Sequence, residues 1–208
     1  MTTGGVHAVD GSLDESHYAF QGRDCGTDIY SLISLCHSIL RRRKQTVAIA
    51  EAVTGGMLSN LWSNEPDIAT VFSGSVVVWG EKAMASLLDI PEIFLQNFNW
   101  ASREVAGAMA QGLRRRLFSD FSIAVVGIGS RAGSSPSQPV GLVWVAIHTP
   151  TREIVQRLDF SSYATQRNLI YERACYAVCK IFLQVIFEED FAEEGSPALD
   201  PMPIRGII

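Results

Sequence analysis

The sequence predicts an α/β fold in which helices cover both faces of a mixed β-sheet, a three-layer α/β/α sandwich. Residues 47–50 are small or β-branched and run into Thr54-Gly55-Gly56, which is typical of a buried strand followed by a tight turn and a helix. Strand and helix patterns alternate through the first half of the chain, as they do where helices join parallel strands. In the second half, residues 140–147 and 154–160 flank a Thr-Pro-Thr turn and predict a hairpin that adds antiparallel strands.

The remaining elements are predicted from the same strand and helix patterns. Apolar residues at helical spacing begin at Ile29, behind a Thr27-Asp28 start signal, and predict the first helix. Residues 72–79 are β-branched through their middle and predict a second strand that is covered on both faces. Ser102 predicts the N-cap of a longer helix with an apolar stripe. The other predicted elements are helices at 57–62, 83–88 and 92–98, a strand at 122–128, a site-lining loop at 129–139 and a last helix with apolar residues between 169 and 185.

These elements form one domain. A chain of 208 residues is long enough for one well-filled core. We expect the domain to span residues 27–190, between a flexible leader at 1–26 and an acidic, proline-rich tail at 191–208, because neither terminal segment has a core-forming period.

The charge balance and the apolar runs limit the possible partners. With 17 Lys and Arg against 22 Asp and Glu, the net charge of −5 argues against nucleic acid as the main partner. Two basic runs, 41–44 and 114–116, stand where helices are predicted to end, and cations there suit the helix dipole. No apolar run reaches the roughly 18 residues of a membrane span, and residues 1–26 lack the apolar core of a signal peptide. We therefore expect a cytoplasmic protein that does not enter a membrane.

The cysteines and histidines argue against a metal centre. Cys175 and Cys179 lie one helical turn apart on an apolar face, which predicts buried thiols in a reducing compartment. The four histidines are scattered without ligand spacing, so we expect neither a metal nor another cofactor.

The turn after the first strand is a candidate anion site. A strand that enters a helix through glycines leaves backbone N–H groups free at the positive end of the helix dipole, where a phosphate or an oxyanion binds. Thr54, Gly55 and Gly56 form such a turn. The alternative is a plain turn in which glycine only supplies a positive φ.

Four motifs occur in a fixed order along the chain: Ala50-Glu51-Ala52-Val53-Thr54-Gly55-Gly56, Trp79-Gly80-Glu81-Lys82-Ala83-Met84, Val126-Gly127-Ile128-Gly129-Ser130-Arg131 and Gln138-Pro139-Val140-Gly141-Leu142-Val143-Trp144. Together they resemble the C-terminal domain of the CinA family, and the resemblance covers roughly residues 29–187. Active members of that family are nicotinamide-nucleotide amidohydrolases, which convert nicotinamide mononucleotide (NMN) to the mononucleotide acid and ammonia. The resemblance implies the family's fold and a tendency to form homo-oligomers.

Three departures from the family pattern bear on activity. The family's nucleophile is the serine of a Glu-Ser-Cys motif, and Ala52 stands at that position. The tyrosine and the lysine that activate the serine correspond to Trp79 and Met84. Because these three side chains supply neither an attacking oxygen nor a base, the resemblance predicts a catalytically inactive relative. In that interpretation, the three apolar side chains fill the former substrate pocket, and Trp79 occupies the space of the nicotinamide ring.

The resemblance also implies a remnant ligand site for a pyridine mononucleotide or another phosphate-bearing small molecule. Its candidate residues are Glu51, Thr54, Gly55, Gly56, Gly127, Gly141 and Arg167.

Two alternatives stay open. One is an active NMN amidohydrolase whose nucleophile has moved to Thr54, Ser75 or Ser59, with Lys82 as the nearest replacement base. The other is a protein-interaction platform that binds its partner through the two terminal segments.

Overall fold

The computed structural model describes residues 25–193 of the chain, with side-chain environments over residues 29–189. The strands are β1 (Val47–Glu51), β2 (Phe72–Val77), β3 (Phe121–Gly127), β4 (Leu142–His148) and β5 (Glu153–Asp159). The helices are α1 (Cys25–Arg43), α2 (Met57–Trp62), α3 (Glu81–Leu88), α4 (Glu92–Asn97), α5 (Arg103–Leu117) and α6 (Arg167–Glu193).

The five strands form one mixed sheet in the order β2-β1-β3-β4-β5. Strand β1 pairs in parallel with both β2 and β3, whereas β3–β4 and β4–β5 are antiparallel. Every residue of β1 and β3 is buried, because these strands lie inside the sheet and helices cover both of their faces.

The alternation of side chains along β1 divides the core between the two faces of the sheet. Val47 and Ile49 belong to the cluster that α1, α2 and α6 cover, whose aromatic members include Trp62 and Phe182. Ala48 and Ala50 belong to the opposite cluster, which α3, α4 and α5 cover. Helices therefore lie on both faces of a mixed sheet, which confirms the predicted α/β sandwich.

The element boundaries agree with the sequence to within a few residues. Ser102 is the N-cap of α5, as predicted, and its hydroxyl accepts a hydrogen bond from the Val105 N–H at 3.2 Å. Helix α1 begins at Cys25, inside the predicted leader, and α6 continues to Glu193, inside the predicted tail. The rest of both predicted terminal segments lies outside the described residues. No helix within residues 25–193 combines the length and the apolar character needed to cross a bilayer.

The prediction for the second strand was wrong in one respect. Strand β2 is an edge strand, and its residues alternate between half-buried and exposed, with Ser73, Ser75 and Val77 exposed. The apolar run at 76–79 suggested burial on both faces, but an edge position leaves one row of side chains without a covering helix.

Candidate functional site

The predicted site residues gather at one edge of the sheet, because β1, β2 and β3 are parallel and their carboxyl ends meet there. Glu51 to Gly56 follow β1, Trp79 follows β2, and Gly127 ends β3. Gly141 precedes β4, which runs in the opposite direction, and so lies at the same edge. Arg167 begins α6, after β5 has returned to this edge.

The Glu51 carboxylate is the centre of this edge. It is fully buried and accepts five hydrogen bonds from the segment that follows it. Oε2 accepts from the Thr54 hydroxyl at 2.6 Å and from the N–H groups of Gly56 and Leu58 at 3.1 Å. Oε1 accepts from the Ser59 N–H at 2.8 Å and from the Ser59 hydroxyl. We call this arrangement the Glu51 latch.

The latch corrects the prediction of free N–H donors at the turn. The donors of Gly56, Leu58 and Ser59 point to Glu51, while the N–H groups of Gly55 and Met57 donate to carbonyls within the turn. The helix dipole favours an anion at this position, and the protein supplies one from its own β1 strand. Gly55 and Gly56 have φ values of 61° and 96°, so glycine is needed for the backbone that wraps around the carboxylate.

The sequence predicted Ser59 only as an alternative nucleophile, and its two hydrogen bonds to Glu51 were not predicted. The position of Ser59 in the sequence could have indicated these bonds, because a residue in the first turn of α2 can reach a carboxylate at the end of the preceding strand. Burial raises the pKa of the Cys175 thiol, on α6, well above its ordinary value. The neighbouring Cys179 and the Glu51 charge raise that pKa further.

The three positions at which the sequence predicts lost catalytic groups have different environments. Ala52 and Met84 are fully buried in the same apolar cluster, on the α5 side of the sheet. Trp79, in contrast, is 57% exposed, which corrects the expectation that its ring fills a pocket. It stands between the end of the edge strand β2 and Gly80, the residue before α3.

The glycines of the third and fourth motifs mark close contacts between backbones. A Cβ on Gly127 would lie 2.5 Å from the Leu142 carbonyl oxygen. A Cβ on Gly141, where φ is +98°, would lie 2.4 Å from the Phe160 carbonyl carbon and the Ser161 nitrogen. Both glycines therefore allow the strand ends to approach one another.

Arg167 makes its contacts within its own helix. Its Nε donates to the Tyr171 hydroxyl, and its guanidinium carbon lies 5.3 Å from the centre of the Tyr171 ring. That ring packs against Gly129, where an added Cβ would come within 2.8 Å of it. The contact with Tyr171 was not predicted, although the i,i+4 spacing of Tyr171 from Arg167 is present in the sequence. Through Tyr171, the arginine is held beside the carboxyl end of β3.

The loop at 129–139 is held in place near its C-terminal end. The Gln138 side chain donates to the Ala101 carbonyl at 2.7 Å in a buried contact, and Ser135 and Gln138 form a small β-bridge. Arg131 lies on the exposed part of the loop, within a short 3₁₀ turn. The loop thus places a cation near the end of β3.

Two other candidate groups make none of the contacts of the latch. Ser75 is exposed on β2 and Lys82 is exposed in the first turn of α3. Within residues 25–193, the structure contains no cluster of three or more His, Cys, Asp or Glu side chains with the geometry to hold a metal ion.

Residues 29–186 match the family described as the CinA C-terminal domain. A CinA-like protein from Prochlorococcus marinus subsp. pastoris is 35% identical over 155 residues, which cover 74% of this chain and 35% of that protein. A CinA-like protein from Parasynechococcus marenigrum is 39% identical over 125 residues, covering 60% of this chain and 30% of that protein. The chain therefore matches about a third of the length of these relatives.

Solved structures give the same result for the fold. A competence-damaged protein (CinA) superfamily protein from Escherichia coli has a TM-score of 0.71 at 25% identity, covering 84% of this chain and 99% of that one. The competence/damage inducible protein CihA from Agrobacterium tumefaciens has a TM-score of 0.72 at 24% identity, covering 77% of this chain and 96% of that one.

Proposed function

The chain belongs to the CinA C-terminal domain family, and from this premise we propose that it is a member without amidohydrolase activity that works by binding a phosphate-bearing small molecule. The observation that carries the proposal is Ala52. Its methyl group is fully buried in the same apolar cluster as Met84, at the position that the resemblance matches to the family's nucleophilic serine. A methyl group has no oxygen with which to attack an amide.

The neighbouring carboxylate does not replace the missing base. A carboxylate has about four lone-pair directions, and Glu51 already accepts five hydrogen bonds. It has no free lone pair for a water molecule or for a further donor. Glu51 therefore supports the turn, and the only hydroxyls from which it could take a proton are those of Thr54 and Ser59, which already donate to it.

The latch also decides which groups would hold a ligand. Because the turn's N–H groups already donate to Glu51, we propose that the ligand anion is bound by side-chain cations at the same edge of the sheet. Arg167, held on Tyr171, and Arg131, on the neighbouring loop, are cations of this kind. The exposed indole of Trp79 offers a flat apolar face to an aromatic ring. A pyridine mononucleotide carries both a phosphate and such a ring.

One observation favours the second candidate, an amidohydrolase with a relocated nucleophile. The Thr54 hydroxyl donates to Glu51 Oε2 at 2.6 Å, which is the contact expected between a nucleophile and its base. Thr54 is only 2% exposed, however, so its oxygen is closed to a substrate in this conformation. We therefore propose the amidohydrolase with a relocated nucleophile as the second candidate.

An assay of ammonia release from NMN separates these candidates. The wild type is expected to release no ammonia above a buffer control. Turnover of about 1 per second or faster would refute the inactive reading. If that turnover were lost in Thr54→Val and kept in Ser75→Ala, the relocated nucleophile would be Thr54.

Binding is tested by calorimetric titration with NMN. Arg167→Ala is expected to weaken binding about tenfold or more, because a charge-assisted hydrogen bond contributes roughly 1.5–3 kcal/mol. Arg115→Ala, at an exposed arginine near the end of α5, is the matched control and should leave the affinity unchanged. Trp79→Ala should also weaken binding. Absence of binding to the wild type at millimolar NMN would refute the nucleotide part and favour the protein-interaction alternative, whose proposed segments lie largely outside the described residues.

A further inference from the structure

The two basic runs of the sequence, 41–44 and 114–116, meet at one edge of the sheet. The first run forms the end of α1, just before β1, and the second lies in the last turn of α5, just before β3. Strands β1 and β3 are parallel neighbours. Thr46 and Asp120, which precede them, are joined by three hydrogen bonds of 2.7–3.1 Å. The two runs therefore lie on either side of the amino edge of the sheet, opposite the edge that carries the latch.

Some of these cations have a structural role. Arg41 pairs with Asp67 at 3.0 Å. Arg114 and Arg116 donate to backbone carbonyls at 2.9 Å and 2.8 Å, and the carbonyl that Arg116 contacts is in the last turn of α3. Cations are ordinary at the C-terminal ends of helices, because they suit the negative end of the helix dipole. These three side chains are thus explained without a ligand.

The other cations of the runs include three that this role does not explain. Arg42, Lys44 and Arg115 are exposed, and within residues 25–193 no hydrogen bond or ion pair engages their side chains. The carboxylate between the two runs, that of Asp120, accepts from Thr46 instead. The net charge of the chain is −5, but salt screens charges beyond about 8 Å, so these nearby cations decide what binds at this edge.

Exposed apolar side chains stand beside the second run. Phe118 is 92% exposed, more than any other large apolar side chain that the structure describes. It ends α5 with φ 51° and ψ 36°, a left-handed conformation that bulky residues rarely adopt and that glycine usually supplies at a helix end. Leu87, which is 48% exposed, follows Ser86, whose carbonyl is bound by Arg116. Arginine and phenylalanine are both enriched where proteins contact one another.

We propose that the amino-edge surface, formed by Arg42, Lys44, Arg115, Leu87 and Phe118, binds an acidic segment of a partner protein. Carboxylates of the segment pair with the three cations, and its apolar side chains pack on the phenyl ring and the leucine. Such a segment has both kinds of group within a short length of chain, as this surface does.

The charge of the whole chain favours this partner over a longer polyanion. Because the net charge is negative, the surface outside the amino edge repels an acidic segment and steers it to this edge. A nucleic acid would extend beyond the cations onto that negative surface. The amino edge is opposite the candidate ligand site, so the proposal stands independently of nucleotide binding.

Fluorescence anisotropy tests the proposal with the full chain. The probe is a short fluorescein-labelled peptide in which pairs of glutamates alternate with single leucines. The wild type is expected to bind it with a Kd below about 1 mM at low salt, the weak end of specific association. Binding should weaken several-fold at about 1 M salt, where screening acts within about 3 Å. The same peptide with glutamine in place of every glutamate should bind at least about tenfold more weakly.

Four variants locate the site. Lys44→Glu and Arg115→Glu should each weaken binding about three- to tenfold, because each replaces an attraction by a repulsion. Lys82→Glu is the matched control, because Lys82 is exposed at the opposite edge, in the first turn of α3. It should bind within about twofold of wild type. Phe118→Gly should weaken binding about fivefold and leave the fold intact, because glycine suits the left-handed backbone.

Far-UV circular dichroism checks that each variant is folded. The proposal is overturned if the wild type does not bind the peptide at millimolar concentration, or if Lys44→Glu and Arg115→Glu bind it as tightly as Lys82→Glu does. Equal binding of the glutamine peptide would overturn the role of charge, and undiminished binding to Phe118→Gly would refute the role of the phenyl ring. A thymidine oligonucleotide of equal length that bound more tightly than the peptide would overturn the choice of an acidic protein segment in favour of nucleic acid.

Discussion

Replacing Glu51 by glutamine is expected to destabilise the folded protein strongly, although the substitution changes only one atom of a side chain. Glutamine keeps one acceptor oxygen and turns the other into an NH2 donor. If the remaining oxygen takes the place of Oε2, it still accepts from Thr54, Gly56 and Leu58. The NH2 group then faces the Ser59 N–H, which loses its acceptor, while the Ser59 hydroxyl can rotate to accept.

The magnitude follows from these contacts. An unsatisfied buried N–H costs about 1–3 kcal/mol, and hydrogen bonds to a charged group contribute more than those to a neutral one. We therefore expect the free energy of unfolding to fall by about 2–4 kcal/mol in Glu51→Gln. For a chain of this size, that loss lowers Tm by about 4–16 °C. Glu51→Ala leaves the three N–H groups without an acceptor, and we expect a loss of about 4 kcal/mol or more.

Urea unfolding followed by far-UV circular dichroism measures the effect through linear extrapolation. Glu92→Gln is the control, because Glu92 is exposed in the first turn of α4, where a lost charge costs about 1 kcal/mol at most. A Glu51→Gln variant as stable as Glu92→Gln would refute the latch as a source of stability.

Two further substitutions test other parts of the structure. Burial raises the pKa of the Cys36, Cys175 and Cys179 thiols, so these thiols ionise at a lower pH in the unfolded chain than in the folded one. The free energy of unfolding should therefore fall as pH rises above about 8.5, by up to about 1.4 kcal/mol per pH unit for each thiol. Urea unfolding between pH 7.5 and 9.5 should show a shallower fall in Cys36→Ala, and an unchanged slope would contradict this account. Gly141→Ala should cost about 3 kcal/mol or more, because a positive φ and a backbone clash act together. Gly133→Ala is the control, because an added Cβ there would meet nothing nearer than 3.9 Å. Its free energy of unfolding should stay within about 0.5 kcal/mol of wild type. Equal losses of stability in the two variants would contradict the argument from close contact.

The sequence predicted the fold because its signals are local and repeated. The β-branched run at β1, the apolar stripe of α5 and the Ser102 cap each depend on residues close in the chain. The place of β2 in the sheet depends on strand order, which periodicity does not encode. Its alternating exposure was therefore missed.

The site was predicted in position but not in its contacts. The carboxyl edge of the sheet follows from the parallel order of β1, β2 and β3, so the candidate residues were found at one place. Whether the N–H groups of the turn were free depended on the rotamer of Glu51, which carries its carboxylate forward to α2. The exposure of Trp79 depended likewise on what covers the end of β2. Neither contact leaves a periodic signal in the sequence.

The exposure of Trp79 gives the protein a built-in optical reporter. Of the four tryptophans in the chain, Trp62 is fully buried, Trp100 and Trp144 are half-buried, and Trp79 is 57% exposed. A collisional quencher such as iodide meets the exposed indole first, so the quenchable part of the fluorescence comes mainly from the carboxyl edge of the sheet. A nucleotide that binds at this carboxyl edge would shield that indole. Its arrival would therefore be visible in the unlabelled protein.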